Sequence, residues 1–204
     1  MKEYNYLFER ASKINNGVFV DLGVLVGDSS EIMLFNADIR NNKVFGVDVN
    51  FGALREQIRL NKNYSMIKGD SVITGKQWER GNIDGLFVDT MHTKEQVMCE
   101  LYYWYDHIKP GGFIAFHDTN WPDDKYDGYG GMTWPRVEEG IKAFFGITSL
   151  DYEDNFIKSI NYPEGWGMTI IDIKEKKDYK SLYTNWGEIF IRREQLINSS
   201  PYKQ

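Results

Sequence analysis

The chain has 204 residues, 42% of them hydrophobic and 26% charged, which suits one sizeable core and is too apolar for a disordered segment. A formal charge of −6 and a pI near 5.2 argue against nucleic-acid and anionic-membrane partners, because such surfaces demand clustered Lys and Arg. Cys99 is the only cysteine, so no internal disulfide framework exists. Its place in an apolar helical pattern suggests a small buried hydrophobe in a reducing, cytoplasmic setting. The segment MKEYNYLFER carries charges where a secretory signal would be apolar, and no run reaches the roughly eighteen apolar residues of a membrane span.

Gly17 to Leu22 reads as a first strand, and Asp28-Ser29-Ser30-Glu31 starts a helix with a short polar residue as N-cap. Lys43 to Val49 is a second strand, Phe51 to Asn61 a helix, and Tyr64 to Lys68 a short third strand. Ile83 to Val88 is almost wholly apolar and therefore central. Val97, Leu101, Trp104, Tyr105 and Ile108 recur at helical spacing from Thr93, until Lys109-Pro110-Gly111-Gly112 punctuates the helix before a fifth strand, Phe113 to Phe116. His107, at that helix end, reads as a partner of the helix dipole. Trp134-Pro135 opens a helix to about Phe145. Asn155 to Ile160 and Gly167 to Ile173 make an antiparallel edge pair turning at Pro163-Glu164-Gly165, and a last helix falls between Asn185 and Ile197.

Strands alternating with helices predict a Rossmann-like, doubly wound α/β fold: a mostly parallel sheet with an antiparallel C-terminal edge hairpin. The expected organisation is one domain over 1–175 and an extension, 176–204, packed on it. Asp118 to Thr133 follows the fifth strand, at the sheet edge where open α/β folds bind ligands, and its length suits a lid. Trp121, Tyr126, Tyr129, Met132 and Trp134 are candidate substrate walls there, and Asp123, Asp124 and Asp127 are acceptors suited to a polyol.

Asp21-Leu22-Gly23-Val24-Leu25-Val26-Gly27-Asp28-Ser29 joins strand to helix through two glycines. Val24, Leu25 and Val26 stand where a pyrophosphate would require bare backbone, so the turn suits a cofactor without phosphate there. Asp48 closes the second strand, from which a carboxylate reaches both ribose hydroxyls. Asp70 and Ser71 follow the third strand and Asp89 ends the fourth. Each acid alone reads as a helix cap or solvated turn; the series at successive strand ends points to a nucleoside site.

The ordered set VDLGVLVGDSS, VFGVDV, KGDS, DGLFVDTMH and IKPGGFIAFHD resembles the class I S-adenosylmethionine-dependent methyltransferases. Within them it is similar to the metal-dependent O-methyltransferase branch that includes macrolide-sugar enzymes and cephalosporin-hydroxylase-like proteins. The likeness covers Gly17 to about Phe145, and GWGMTII is similar to the group's last strand. It implies that Gly23, Gly27 and Ser29 contact the methionine part of S-adenosylmethionine, Asp48 the ribose, and Asp70 with Ser71 the adenine, with Asp89 beside the cofactor. His92, three residues beyond Asp89, matches the group's general base.

Methyl transfer from a sulfonium to a hydroxyl is an in-line displacement that gains from a base or from a hard cation that acidifies the hydroxyl. Asp89, Asp118 and His117 are candidate ligands for Mg2+ or another divalent cation, and Asn120 could add an oxygen. DTMHTKE departs from the group's usual surroundings of the histidine, and His117 replaces an acid. The reading is O-methylation of a small hydroxylated molecule, a sugar or a phenol. N-methylation without metal, and a nucleoside-binding module without activity, remain as alternatives. Homo-oligomerisation stays open.

Overall fold

A strand buried on both faces must be covered on both sides by helices, and every residue of Ile83–Val88 is buried. The computed structural model describes residues 2–120 and 136–199. In chain order these form α1 (Tyr4–Ala11), β1 (Val18–Leu22), α2 (Asp28–Leu34), α3 (Ala37–Arg40), β2 (Lys43–Asp48), α4 (Glu56–Arg59), β3 (Tyr64–Lys68) and α5 (Ser71–Lys76). There follow β4 (Ile83–Val88), α6 (Lys94–Trp104), β5 (Ile108–His117), α7 (Val137–Phe145), β6 (Tyr152–Glu153), β7 (Ile157–Tyr162), β8 (Met168–Ile173) and α8 (Trp186–Ser199).

The strands make one sheet in the order β3-β2-β1-β4-β5-β8-β7-β6. Pairing is parallel from β3 through β5 and antiparallel where β8 joins β5 and in the hairpin beyond. This is the expected Rossmann-like, doubly wound fold, with antiparallel strands at the C-terminal edge. Side chains alternate faces along each strand, and the packing follows that period. Val20, Leu22, Leu86, Val88, Ile114 and Phe116 join a core with Val97, Leu101 and Trp104 of α6 and Ile141 and Phe144 of α7. Phe19, Phe87, Phe113 and Ala115 join the opposite core with Leu7 of α1, Met33 of α2 and Ile58 of α4. Each fully buried aliphatic or aromatic side chain contributes about 1.5–3 kcal/mol, so both layers are needed to hold the sheet.

Several elements differ from expectation. Thr93 is the N-cap of α6 and not its first residue: its side chain accepts from Gln96 N at 3.2 Å. Lys109–Gly112 do not separate helix from strand. They lie inside β5, where the register jumps from Ile83↔Ile108 to Gly85↔Phe113 and so accommodates Pro110. His107 sits in a short 3-10 turn with Nε2 3.3 Å from Gly75 O. The helix expected over 51–61 shrinks to α4 because Asn50 Oδ1 accepts from Gly52 N at 2.9 Å and forms a turn first. α1 and the short strand β6 had no counterpart in the sequence reading. No described helix is long and apolar enough to cross a membrane.

Candidate active site

Register brings the functional residues together. Leu22 pairs with Val47 of β2 on one side and with Val88 of β4 on the other, and Val88 pairs with Phe116 of β5. The residues just beyond, Gly23, Asp48, Asp89 and His117–Asp118, therefore share the carboxyl edge of the sheet. β1 is also where successive crossovers diverge, the place where such sheets bind ligands.

Gly23 and Gly27 both have positive φ, 84° and 91°. A side chain at Gly23 would put Cβ 1.9 Å from the Asp89 carbonyl oxygen, and one at Gly27 would strike Ile58 and Leu54 of the α4 layer. The glycines thus let the turn lie flat against β4 and α4. Arg55 pins the turn from the side, through Nε to Val26 O at 3.1 Å and Nη2 to Asp28 Oδ1 at 2.8 Å. Asp48 Oδ2 accepts from Val24 N at 2.8 Å and Leu25 N at 3.1 Å, and its Oδ1 from Asn50 N at 2.9 Å. The carboxylate so shapes the glycine turn while keeping lone pairs for a further donor.

Ser29 is turned inward, donating to Asp21 Oδ2 at 2.7 Å beside Ser30, which donates to the same oxygen. Asp21 is fully buried, and its Oδ1 has no hydrogen-bond partner among the described residues. Burial pushes its carboxyl up to about 7, against the pull of the two serines. Cys99 is buried as expected, its thiol pushed up to about 12 by burial.

Asp70 caps α5, Oδ1 accepting from Val72 N at 2.9 Å and Ile73 N at 3.0 Å, while its Oδ2 pairs with Arg193 of α8. Ser71 is buried and donates to Glu100 Oε1 at 2.5 Å. These hydroxyl and carboxylate groups are occupied by the protein itself, something the turn sequence did not disclose.

At the ends of β4 and β5 the acids are held differently. His92 Nε2 lies 3.1 Å from Asp89 Oδ1 and 3.0 Å from Asp118 Oδ2. One ring nitrogen of His92 and one oxygen of each carboxylate lie within 4.8 Å of one another, making Asp89, His92 and Asp118 a set able to hold a metal ion. His117 approaches the other carboxylate oxygens, Nδ1 being 3.0 Å from Asp118 Oδ1 and 3.6 Å from Asp89 Oδ2. The imidazole in the compact ligand set is thus His92, with His117 standing behind the carboxylates. Asp118 holds its place with φ of 57°, a left-handed conformation that Asp tolerates better than most residues. Asn120 Nδ2 donates to Pro163 O at 2.9 Å, away from the set.

α1 closes the site from below. Tyr4 stacks on His117 at 5.4 Å between ring centroids, and Glu3, almost wholly buried, brings Oε1 to 3.9 Å from His117 Nε2. Burial lowers the His117 pKa, but Asp118, Asp89 and Glu3 outweigh it and the net shift is upward. A cavity of about 340 Å³ opens beside the start of α6, lined by Thr93, Arg136, Arg192 and Gln195 among others. Arg136 N donates to His92 O at 2.7 Å, which ties this cavity to the histidine's backbone. The candidate walls Trp121, Tyr126, Tyr129, Met132 and Trp134, with Asp123, Asp124 and Asp127, lie outside the described residues.

Residues 20–119 match the family model described as a methyltransferase domain. Over those residues the chain is similar to methyltransferase domains. No curated protein matches the sequence. Among solved structures, an S-adenosylhomocysteine-bound methyltransferase from Podospora anserina is 15% identical, with a TM-score of 0.62 over 85% of this chain and 78% of that one. A TDP-rhamnose 3′-O-methyltransferase of calicheamicin biosynthesis is 13% identical, with a TM-score of 0.57 over 82% and 76%. An rRNA methylase from Streptococcus thermophilus is 13% identical, with a TM-score of 0.55 over 85% and 95%. These similarities establish the fold alone; the acceptors named for the last two, a TDP-sugar and an rRNA, differ from one another.

Proposed function

We propose that the methyltransferase domain transfers the methyl group of S-adenosylmethionine to a hydroxyl of a small molecule, a sugar or a phenol, with help from a divalent cation. The observation that carries this reading is the Asp89–His92–Asp118 set at the carboxyl edge beside the Gly23 turn. The cofactor has a suitable bed: Asp48 keeps acceptor capacity for ribose hydroxyls, Gly23 and Gly27 let backbone run close to the methionine part, and Asp70 and Ser71 border the adenine end. A resident cation suits the donor chemistry, because two carboxylates facing one imidazole nitrogen repel each other unless positive charge lies between them. Mg2+ or a similar ion held by Asp89 and Asp118 would supply acidity to a coordinated hydroxyl.

The protein's own groups do the rest. Asp118 and Asp89 orient the acceptor, and His117, backed by Glu3 and Tyr4, keeps those carboxylates in place. His92 takes the hydroxyl proton as the acceptor oxygen bonds to the methyl carbon; the carbon–sulfur bond breaks and its electrons stay on sulfur, leaving S-adenosylhomocysteine. The test is formation of S-adenosylhomocysteine with a panel of sugars and phenols, before and after chelation. Turnover lost on chelation and restored by Mg2+ supports the reading. Turnover untouched by exhaustive chelation removes the cation from it, and failure to bind S-adenosylhomocysteine removes the reading altogether.

A further inference from the structure

The C-terminal helix α8 sends one charged side chain into the interior. Arg193 is 3% exposed, and each end of its guanidinium is engaged: Nη2 with Asp70, Nε with Gln96 Oε1 at 2.7 Å, and Nη1 with Glu194 Oε1 at 2.9 Å. Gln96 passes the connection on, donating from Nε2 to Ser71 Oγ at 3.0 Å and to Glu100 Oε1 at 2.7 Å. Glu100 Oε1 also accepts from Ser71 Oγ at 2.5 Å and from Thr90 Oγ1 at 2.8 Å. The network therefore runs from α8 to Asp70 and Ser71 in the turn beyond β3 and to Thr90, next to Asp89.

Such a network costs more than an apolar core unless every charge is matched. Asp70 and Glu100 are carboxylates in or beside the interior, and Arg193 is the cation between them. Burial raises the Glu100 carboxyl, opposed by the hydrogen bonds from Ser71, Thr90 and Gln96 and then by the charge of Arg193. Packing alone does not call for this arrangement, since Ile189 of the same helix already anchors α8 through an apolar contact. What the network does set is the placement of Asp70, Ser71 and Thr90, which border the adenine end of the cofactor bed.

We infer that Arg193 is a positioning residue for cofactor binding: α8, through Arg193, Gln96 and Glu100, holds the Asp70–Ser71 turn and Thr90 in the geometry that receives the nucleoside. This rests on the methyl-donor reading of the site. A planar fork that grips Asp70 and Gln96 at once is something Lys cannot reproduce, although Lys keeps the charge.

The experiment measures S-adenosylhomocysteine affinity by calorimetry for the full chain and for R193M, R193K and E194Q, each well below its melting temperature. Amide hydrogen exchange at residues 71–73 and 90 is followed with and without the ligand. R193M is expected to bind about tenfold or more weakly, on the scale of residues that orient a site from behind. R193K should recover part of the affinity, and E194Q, altering only the exposed partner, should bind normally. Ligand-induced protection at residues 71–73 should fall in step with affinity. A purely structural role would lower the melting temperature and leave affinity and protection intact in the folded fraction, and that result overturns the inference. If R193M does not fold, R193K carries the test: native affinity and native protection in R193K would overturn it equally. Should the unaltered chain itself bind no S-adenosylhomocysteine, it is the methyl-donor reading that fails.

Discussion

Two groups of acids stand at neighbouring strand ends and are treated in opposite ways. Around Asp70 and Glu100 the protein supplies nearly every donor itself: a helix N-terminus, two hydroxyls, an amide and the buried guanidinium of Arg193. Around Asp89 and Asp118, among the described residues, it supplies two imidazoles, with Asp118 buried and Asp89 partly exposed. The first cluster has its geometry decided by the protein's own donors, although Glu100 Oε2 is buried with no hydrogen-bond partner among the described residues. The second brings titratable groups together at the sheet edge, where ligands bind and chemistry is done.

That contrast can be broken by substitution. In the Asp89–Asp118 cluster, H92Q is expected to lower kcat by about 10²–10⁴, the range for loss of a general base, while the melting curve moves little; a large loss of stability with retained turnover would reverse the assignment. In the Asp70–Glu100 cluster a loss of stability is expected as well: R193M leaves the buried Gln96 Oε1 without its donor and should cost about 1–3 kcal/mol by denaturant unfolding. Equal and small effects of both changes would erase the distinction.

The pH dependence sharpens the same point through Asp21. Its folded carboxyl is raised to about 7 from an ordinary 3.8, so between those values the folded chain holds a proton that the unfolded chain has released. Stability should therefore fall as pH rises from about 4 to about 7, and Glu100, also raised by burial, adds in the same direction. D21N keeps an acceptor for Ser29 and Ser30 and should flatten this slope, measured by thermal unfolding across the range; a slope unchanged by D21N would assign it elsewhere. The smallest effect is expected far from both clusters, where I39S at the exposed face of α3 should shift stability by no more than about 0.5 kcal/mol.

Much of this was legible beforehand because parallel strands carry strong signals. The strand-like runs and the acids at successive strand ends, Asp48, Asp70, Asp89 and Asp118, announced both the sheet and the edge where the site would lie. The compact trio of Asp89, His92 and Asp118 was partly visible: Asp89 and Asp118 stood among the candidate ligands and the resemblance offered His92 as a base, but which of His92 and His117 would face both carboxylates depends on how β4 and β5 align. The function of Arg193 was hidden, because a basic residue in a mixed helix ordinarily reads as a solvated surface group, and only the approach of α8 to α6 turns it inward. Glu3 and Tyr4 escaped for the same reason, since charges in MKEYNYLFER mask the Leu7 and Ala11 contacts that dock α1. β5 was truncated because Pro110 and its glycines signal termination locally, whereas the sheet absorbs them through a register shift.

The docking of α1 under His117 also bears on how the site comes into being. Tyr4 and Glu3 find their partner only when β5 has joined the sheet, and contacts so distant along the chain are slow to form because the intervening loop must be ordered first. The catalytic edge should therefore be the last part of the molecule to mature and the first to loosen. Fraying of α1 alone would uncover His117 and relax Asp89 and Asp118 while the sheet stays intact, a local opening visible as rapid exchange of the α1 amides.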